Sequence, residues 1–334
     1  MLLIDALYIN NGGGKVLLDY ILLQYCNHDE KPFLLLDSRI ENQLSTDISS
    51  FKYVFINSFI DRYRFYLDNR FDKVLCFGNI PPPVYLSAQV FTYFHQPLFL
   101  EIPENFNLKN KCIYFIKSLV LRQLKRNTTF WLVQSEYIKD KLSKKYKIEA
   151  GKIKTLPFYP PLSIHQDKEM LKRNKNSYIY ISNAPPHKNH IRLISAFCLF
   201  FDKHKIGNLT LTVNKDFPEL LDLINQKIDM GYPIINIGFV PRDQLAIIYQ
   251  ESEYLIYPSL AESFGLGLVE AIENGCKVIG ANLPYTYAVC EPSLAFNPMD
   301  EESIFNALCL SLEKELKPSI SKVSNNIDAL LSLL

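Results

Sequence analysis

Short apolar runs alternate with segments of helical period along most of this chain. In the first half, Leu2–Ile9, Pro32–Asp37, Lys52–Asn57, Lys73–Phe77, Val90–Phe94 and Phe130–Val133 have the length and flanks of buried strands. Between several of them, Lys15–Tyr25, Ile60–Asn69, Lys109–Arg126 and Tyr137–Tyr146 read as helices. The rhythm breaks at Pro157, Pro160 and Pro161 and the polar stretch His165–Asn176, which reads as a linker. It restarts with strands Tyr178–Ser182, Leu209–Val213, Ile234–Phe239, Tyr254–Tyr257 and Lys277–Gly280, and with helices beginning near His190, Pro218, Arg242, Phe264 and Glu301. Such alternation predicts parallel α/β layers. Two doubly wound domains facing a cleft follow, with ligands at the carboxyl ends of the strands. The expected domains are 1–160 and 161–315, with 316–334 a helical segment packing back toward the first.

The segment Tyr257–Gly275 carries the most chemistry: a strand ends at Tyr257, a loop carries Glu262, and Ser263 is placed to cap a helix starting at Phe264. Gly265 and Gly267 keep the first turn free of bulk, so that a diphosphate can approach the backbone amides. Glu270 lies on the Leu266 face of that helix in an apolar run, where a carboxylate is costly unless something hydrogen-bonds it; ribose or sugar hydroxyls would do so. An ordinary amphipathic helix whose Glu270 reaches solvent is the structural alternative. It would be the better reading of an isolated acidic pair, and the glycines and the strand–loop–helix setting weigh against it here.

This segment resembles the Glu-x7-Glu signature of glycosyltransferase family 4, the group 1 transferases, with Gly267 where proline is common. The resemblance implies a GT-B fold of two Rossmann-like domains. It implies that Glu262 contacts the transferred sugar, that Glu270 binds the nucleotide ribose, and that Ser263, Phe264, Gly265 and Leu266 present backbone groups to the diphosphate. Lys188, in Ser182–His190, matches the family lysine that neutralises a pyrophosphate, and the wording Pro186-His187-Lys188-Asn189 resembles enzymes of bacterial O-antigen and capsule assembly. Taken alone, that lysine is better read as solvated loop charge. Many relatives have an arginine just before it, where this chain has Ser182 and Asn183; Ala288 stands where relatives often carry a glutamate.

Gly12, Gly13 and Gly14 follow the first strand and match the family's glycine-rich first loop, although a flexible turn would look the same. His95 ends a strand where the family places a histidine facing the donor sugar. Gly238 and Phe239 resemble the segment lining the nucleobase pocket. His187 and His190 read as loop residues, since no third metal ligand lies at sensible spacing. A dinucleotide oxidoreductase is disfavoured because the glycine fingerprint is incomplete.

Net charge is +1, but its distribution is uneven: residues 1–165 hold 21 Lys and Arg against 15 Asp and Glu. Lys109–Lys154 alone holds 13 basic and 3 acidic residues. On Lys109–Arg126 the pattern places Ile113, Ile116, Val120 and Leu124 on one face. A docked helix with solvated charges is the structural reading, and contact of 109–154 with an anionic membrane the functional one. No nucleic-acid reading motif is present. The seven scattered cysteines, most in apolar runs, read as reduced buried thiols of a cytoplasmic protein. No apolar stretch approaches a spanning helix, and the N-terminus lacks the marks of a signal peptide.

The combined expectation is a retaining, metal-independent hexosyltransferase with His95, Lys188 and Glu262 at its chemistry. Gly13, Gly14, Asn183, Gly238, Phe239, Ser263, Phe264, Gly265, Leu266 and Glu270 would bind donor. A UDP- or GDP-sugar is co-substrate, no cofactor is required, and a glycan or lipid-linked oligosaccharide is acceptor, in the cytoplasm or on the inner face of its membrane. A nucleotide-sugar epimerase of the same fold and a non-catalytic sugar-nucleotide-binding subunit are the alternatives.

Overall fold

The computed structural model describes residues 1–102, 108–162 and 173–334. Two compact units result: Met1–Pro160 with Ser324–Leu334, and Pro161–Val323. Most of the linker reading, residues 165–172, lies outside the described residues.

The first unit is built on a seven-stranded parallel sheet. Its strands are β1 (Leu2–Ala6), β2 (Phe33–Asp37), β3 (Lys52–Ile56), β4 (Lys73–Cys76), β5 (Gln89–Phe94), β6 (Phe130–Val133) and β7 (Ile153–Thr155), in the order β3-β2-β1-β4-β5-β6-β7. Helices α1 (Gly12–Tyr25), α2 (Phe59–Asp68), α3 (Leu108–Leu124) and α4 (Glu136–Tyr146) lie between them in the chain, and α11 (Ile327–Leu333) closes the sequence. Central strands bury both faces, so Leu34, Leu35 and Leu36 run consecutively apolar and fully buried. Ser58 caps α2 by accepting from the Asp61 amide, and Ser135 caps α4 through the Ile138 amide.

One charged group breaks the apolar interior of β1. Asp5 is 1% exposed and Arg62, from α2, is 2% exposed. The guanidinium donates to Asp5 Oδ2 at 2.7 Å and to the carbonyls of Ile80 and Pro81 at 2.8 and 3.0 Å. The Tyr66 hydroxyl donates to the same carboxylate at 2.7 Å. Every charge is met by a partner, the condition under which an interior ion pair is tolerated. The pair ties β1 and α2 to the Pro81–Pro83 turn after β4.

The second unit holds a six-stranded parallel sheet of β8 (Asn174–Tyr180), β9 (Asn208–Leu211), β10 (Ile234–Asn236), β11 (Ser252–Tyr257), β12 (Lys277–Ala281) and β14 (Leu294–Phe296), in the order β10-β9-β8-β11-β12-β14. Two short antiparallel strands, β13 (Cys290–Glu291) and β15 (Ile320–Ser321), pair separately. The helices are α5 (His190–His204), α6 (Pro218–Asp229), α7 (Arg242–Glu251), α8 (Leu266–Glu273), α9 (Pro284–Val289) and α10 (Glu301–Glu313). The 316–334 stretch is thus not one helical segment: β15 belongs to the second unit, and only Ile327–Leu333 is helical.

Three sequence expectations change. The helix expected from Phe264 begins at Leu266, because Gly265 takes left-handed backbone angles (φ +80) and serves as its N-cap. Ser263 therefore does not cap it. On α3, Leu121 is the fully buried residue, Val120 and Leu124 pack from the edge, and Ile113 and Ile116 are exposed. Not every cysteine is buried: Cys112 is exposed and Cys26 half-buried.

Candidate functional site

Two cation–carboxylate pairs organise the second unit at the C-terminal ends of its central strands. The first joins the loop after β8 to the loop after β11. Lys188 Nζ lies 2.5 Å from Glu262 Oε1, and the Tyr257 hydroxyl, at the end of β11, donates to the same oxygen at 2.9 Å. Burial alone would raise the Glu262 pKa, but the Lys188 charge and hydrogen bond outweigh it and hold the carboxyl below its usual range. The pair therefore contributes stability above the unfolded-state carboxylate pKa, lost only as pH falls through the lower folded value.

The backbone fixes both partners. The Leu260 amide donates to the His187 carbonyl at 2.7 Å, and the Tyr180 hydroxyl to the Lys188 carbonyl at 3.0 Å. Asn189, in left-handed conformation at φ +63, donates through its side chain to the carbonyls of Pro258 and Pro298 at 3.2 and 2.7 Å. These contacts stitch the two loops together.

The second pair joins α7 to α8: Arg242 donates to Glu270 Oε1 at 2.5 Å. Glu270 is 4% exposed, and burial raises its pKa despite the nearby guanidinium. The sequence reading offered ribose or sugar hydroxyls as partners for this carboxylate; the protein itself supplies one in the Arg242 guanidinium. Between Glu262 and Glu270 lies the start of α8, which carries no side-chain cap. Such a helix end offers unspent amides and a partial positive charge. At Gly267 a Cβ would stand 3.4 Å from the Tyr249 hydroxyl and from Tyr257 Cε2, the near limit of ordinary contact.

The remaining residues of this unit fall around the sheet end. Asn183 is exposed on the loop after β8. Gly238, at φ +65, has open space where a side chain would project, and Phe239 beside it is 78% exposed. Phe264 is buried, so any contact it makes with a ligand is through its backbone. His187 is half-buried and His190 buried, and both are held neutral, their pKa values lowered to about 4 and about 3 by burial and by the Lys188 charge. Among the described residues no group of three His, Cys, Asp or Glu side chains is arranged to hold a metal ion.

In the first unit, α1 begins at Gly12 and His95 follows β5. The His95 ring lies 3.0 Å, through Nε2, from the Phe77 carbonyl. A carbonyl only accepts, so Nε2 carries the proton and Nδ1 is left as an acceptor. Burial lowers the His95 pKa to about 4. Gly14 makes room for the ring: a Cβ there would stand 2.9 Å from His95 Cε1. Gly13 meets nothing within 4 Å and leaves the helix start open. Gly14→Ala is expected to push the imidazole outward and move its pKa from about 4 toward the ordinary 6.5, read by proton NMR titration. An unmoved titration would mean that Gly14 does not set the ring position.

Sequence reasoning missed Arg242 as a partner of Glu270, and with it Tyr257, Asn189 and Tyr180. Arg242 had one visible signal, its place at a helix start beyond Gly238-Phe239. Its partner lies 28 residues away and could not be read from spacing.

The two parallel-sheet units have the GT-B fold. The chain resembles sucrose-phosphate synthase from Thermosynechococcus elongatus at a TM-score of 0.71 and 13% identity, covering 94% of this chain and 90% of that one. Residues 163–291, most of the second unit, match the family described as glycosyl transferases group 1. Two curated relatives are each 24% identical. O-antigen chain mannosyltransferase RfbU of Salmonella typhimurium aligns over 76% of this chain and 69% of its own length. O-antigen chain mannosyltransferase B of Escherichia coli aligns over 67% of this chain and 61% of its own length, so the chain spans less than two thirds of that relative.

Proposed function

We propose that this protein is a glycosyltransferase that moves a hexose, mannose being the first to test, from a UDP- or GDP-sugar to a glycan or lipid-linked oligosaccharide acceptor of a bacterial surface polysaccharide. The observation that carries the reading is the pairing of both motif carboxylates, Glu262 with Lys188 and Glu270 with Arg242, on either side of the uncapped α8 start. Mannose and the O-antigen setting are suggested by the names of the two curated relatives.

In this reading the diphosphate sits at the α8 start, where the amides of Gly265 and Leu266 and the Lys188 ammonium meet its charge. One of the three ammonium N–H groups is spent on Glu262; the others are available to the leaving phosphate. Glu270, oriented by Arg242, accepts from the ribose hydroxyls, and exposed Phe239 gives the base a face to lie on. Glu262 binds a hydroxyl of the transferred sugar. The bond from the anomeric carbon to the phosphate oxygen breaks as the acceptor oxygen bonds on the same face, giving retention, and the acceptor proton passes to the departing phosphate. No metal is assigned a step. The reaction is placed in the cytoplasm.

The test is thermal unfolding with a panel of UDP-, GDP- and dTDP-sugars. A donor present at about 100 times its Kd stabilises the folded state by about 2.7 kcal/mol. Glu270→Ala and Arg242→Met are each expected to remove that gain. A panel without effect on folded protein would contradict the donor site, and stabilisation undiminished in both variants would move it away from Glu270.

A further inference from the structure

Three tyrosines support the Lys188–Glu262 pair, and each spends its hydroxyl on a different part of it. Tyr180 ends β8, Tyr257 ends β11 and Tyr285 lies in α9. All three are buried. Their rings meet near edge to face: that of Tyr257 lies 5.6 Å from Tyr180 at 84° and 6.3 Å from Tyr285 at 64°. The Tyr180 hydroxyl donates to the Lys188 carbonyl at 3.0 Å and the Tyr257 hydroxyl to Glu262 Oε1 at 2.9 Å. The Tyr285 hydroxyl donates to the Ser259 carbonyl at 2.6 Å, at the base of the loop that carries Glu262. Burial, and then the Glu262 charge, raise the pKa of each phenol well above its usual value, so all three remain donors.

A carboxylate and an ammonium carried on two loops keep one geometry only when side-chain and backbone rotation are both stopped. The Tyr257 hydroxyl stops the carboxylate, on the same oxygen that meets Lys188. The Tyr180 and Tyr285 hydroxyls stop the backbone of the two loops. We infer that Tyr257 is the positioning residue through which Glu262 selects the transferred sugar, and that Tyr180 positions Lys188 in the same way for the diphosphate. The inference rests on the donor site given above. Held by Lys188 and Tyr257, Glu262 is a fixed, charged acceptor, so the sugar hydroxyl it holds must donate. A sugar lacking that hydroxyl leaves the carboxylate one donor short and is rejected. A carboxylate free to turn would follow whichever hydroxyl is offered. Other buried tyrosines of the same sheet serve packing alone: Tyr254, also on β11, donates to the Ser311 carbonyl of α10 at 3.1 Å.

Tyrosine-to-phenylalanine variants remove one hydroxyl each and keep the rings. Calorimetry of the full chain with GDP and GDP-mannose, and with UDP and UDP-glucose, gives the first reading. Tyr257→Phe is expected to weaken the nucleotide sugar about tenfold while the nucleoside diphosphate stays within about twofold of wild type. Tyr180→Phe should weaken both alike, and Tyr254→Phe neither. The second reading needs no nucleotide: the carbon-13 titration of the Glu262 carboxyl, assigned with Glu262→Gln. A hydroxyl that donates to the charged form holds the pKa down, so Tyr257→Phe should move the Glu262 midpoint upward. The other titratable groups facing this carboxyl are Lys188 and His187 from the loop after β8, Tyr180 from β8 and Tyr285 from α9. His187, with its pKa near 4, is followed separately through its ring protons. An unmoved Glu262 midpoint would overturn the inference whatever the protein binds. So would a Tyr257→Phe variant that loses nucleoside diphosphate as much as nucleotide sugar, or a Tyr254→Phe variant that behaves like it. A raised midpoint in Tyr257→Phe, in a protein that binds no nucleotide sugar, would contradict the donor site and support the hold of Tyr257 on Glu262.

Discussion

Lys188→Met is expected to lower kcat about 10²- to 10³-fold with a much smaller change in donor KM. That is the usual loss when one preorganised donor is removed from a developing anion. The ammonium reaches this position through the left-handed turn at Asn189 and the hydrogen bonds of the loop after β8. Loss of the cation also strands Glu262, whose side chain is 12% exposed and otherwise meets the Tyr257 hydroxyl. Two effects are therefore superimposed, and a double substitution separates them. Lys188→Met with Glu262→Gln removes both charges and should recover stability lost in Lys188→Met, while turnover stays low. Lys188→Met with more than a third of wild-type kcat would contradict the catalytic role and leave the lysine as a counter-ion to Glu262.

Arg62→Met is expected to destabilise the first unit by about 3–5 kcal/mol, the cost of breaking a buried pair by removing one partner. Asp5 would keep the Tyr66 hydroxyl and the Leu7 amide but lose its positive charge. The carbonyls of Ile80 and Pro81 would lose their donor as well. The readout is built in: the single tryptophan, Trp131, lies 1% exposed in the core of the same unit. Urea unfolding followed by its fluorescence should show the midpoint falling, and Asp5→Asn added to Arg62→Met should recover part of the loss. A shift below about 1 kcal/mol would place the pair among those that contribute little.

The sequence carried local chemistry well and distant pairing poorly. Strands such as Phe33–Asp37 and Lys277–Ala281 announce themselves as apolar runs, because both sheet faces are covered. Short elements give no such signal: Ile153–Thr155 and Leu294–Phe296 are three residues each and become strands only by pairing with longer neighbours. The start of α8 was misplaced by two residues because glycine permits φ +80 without signalling it. Glu262, Lys188 and Glu270 were singled out from the local strand–loop–helix pattern and the resemblance together. That Lys188 pairs with Glu262 and Arg242 with Glu270 was not, since the partners lie 74 and 28 residues apart and are joined only by the sheet. On α3 the apolar residues outnumber those one face can bury. Periodicity therefore marked an amphipathic helix but set its packed face off centre, since Val120 and Leu124 pack while Ile113 and Ile116 are exposed.

The central claim is transfer of sugar from a nucleotide donor, and the most direct measurement is product formation by the purified protein with GDP-mannose, then the other GDP- and UDP-sugars, and a lipid-linked oligosaccharide acceptor. The account predicts one glycosylated product per nucleoside diphosphate released, release that depends on acceptor, and an anomeric configuration by NMR that matches the donor. Donor conversion without acceptor, or binding of donor with no turnover across the panel, would contradict it.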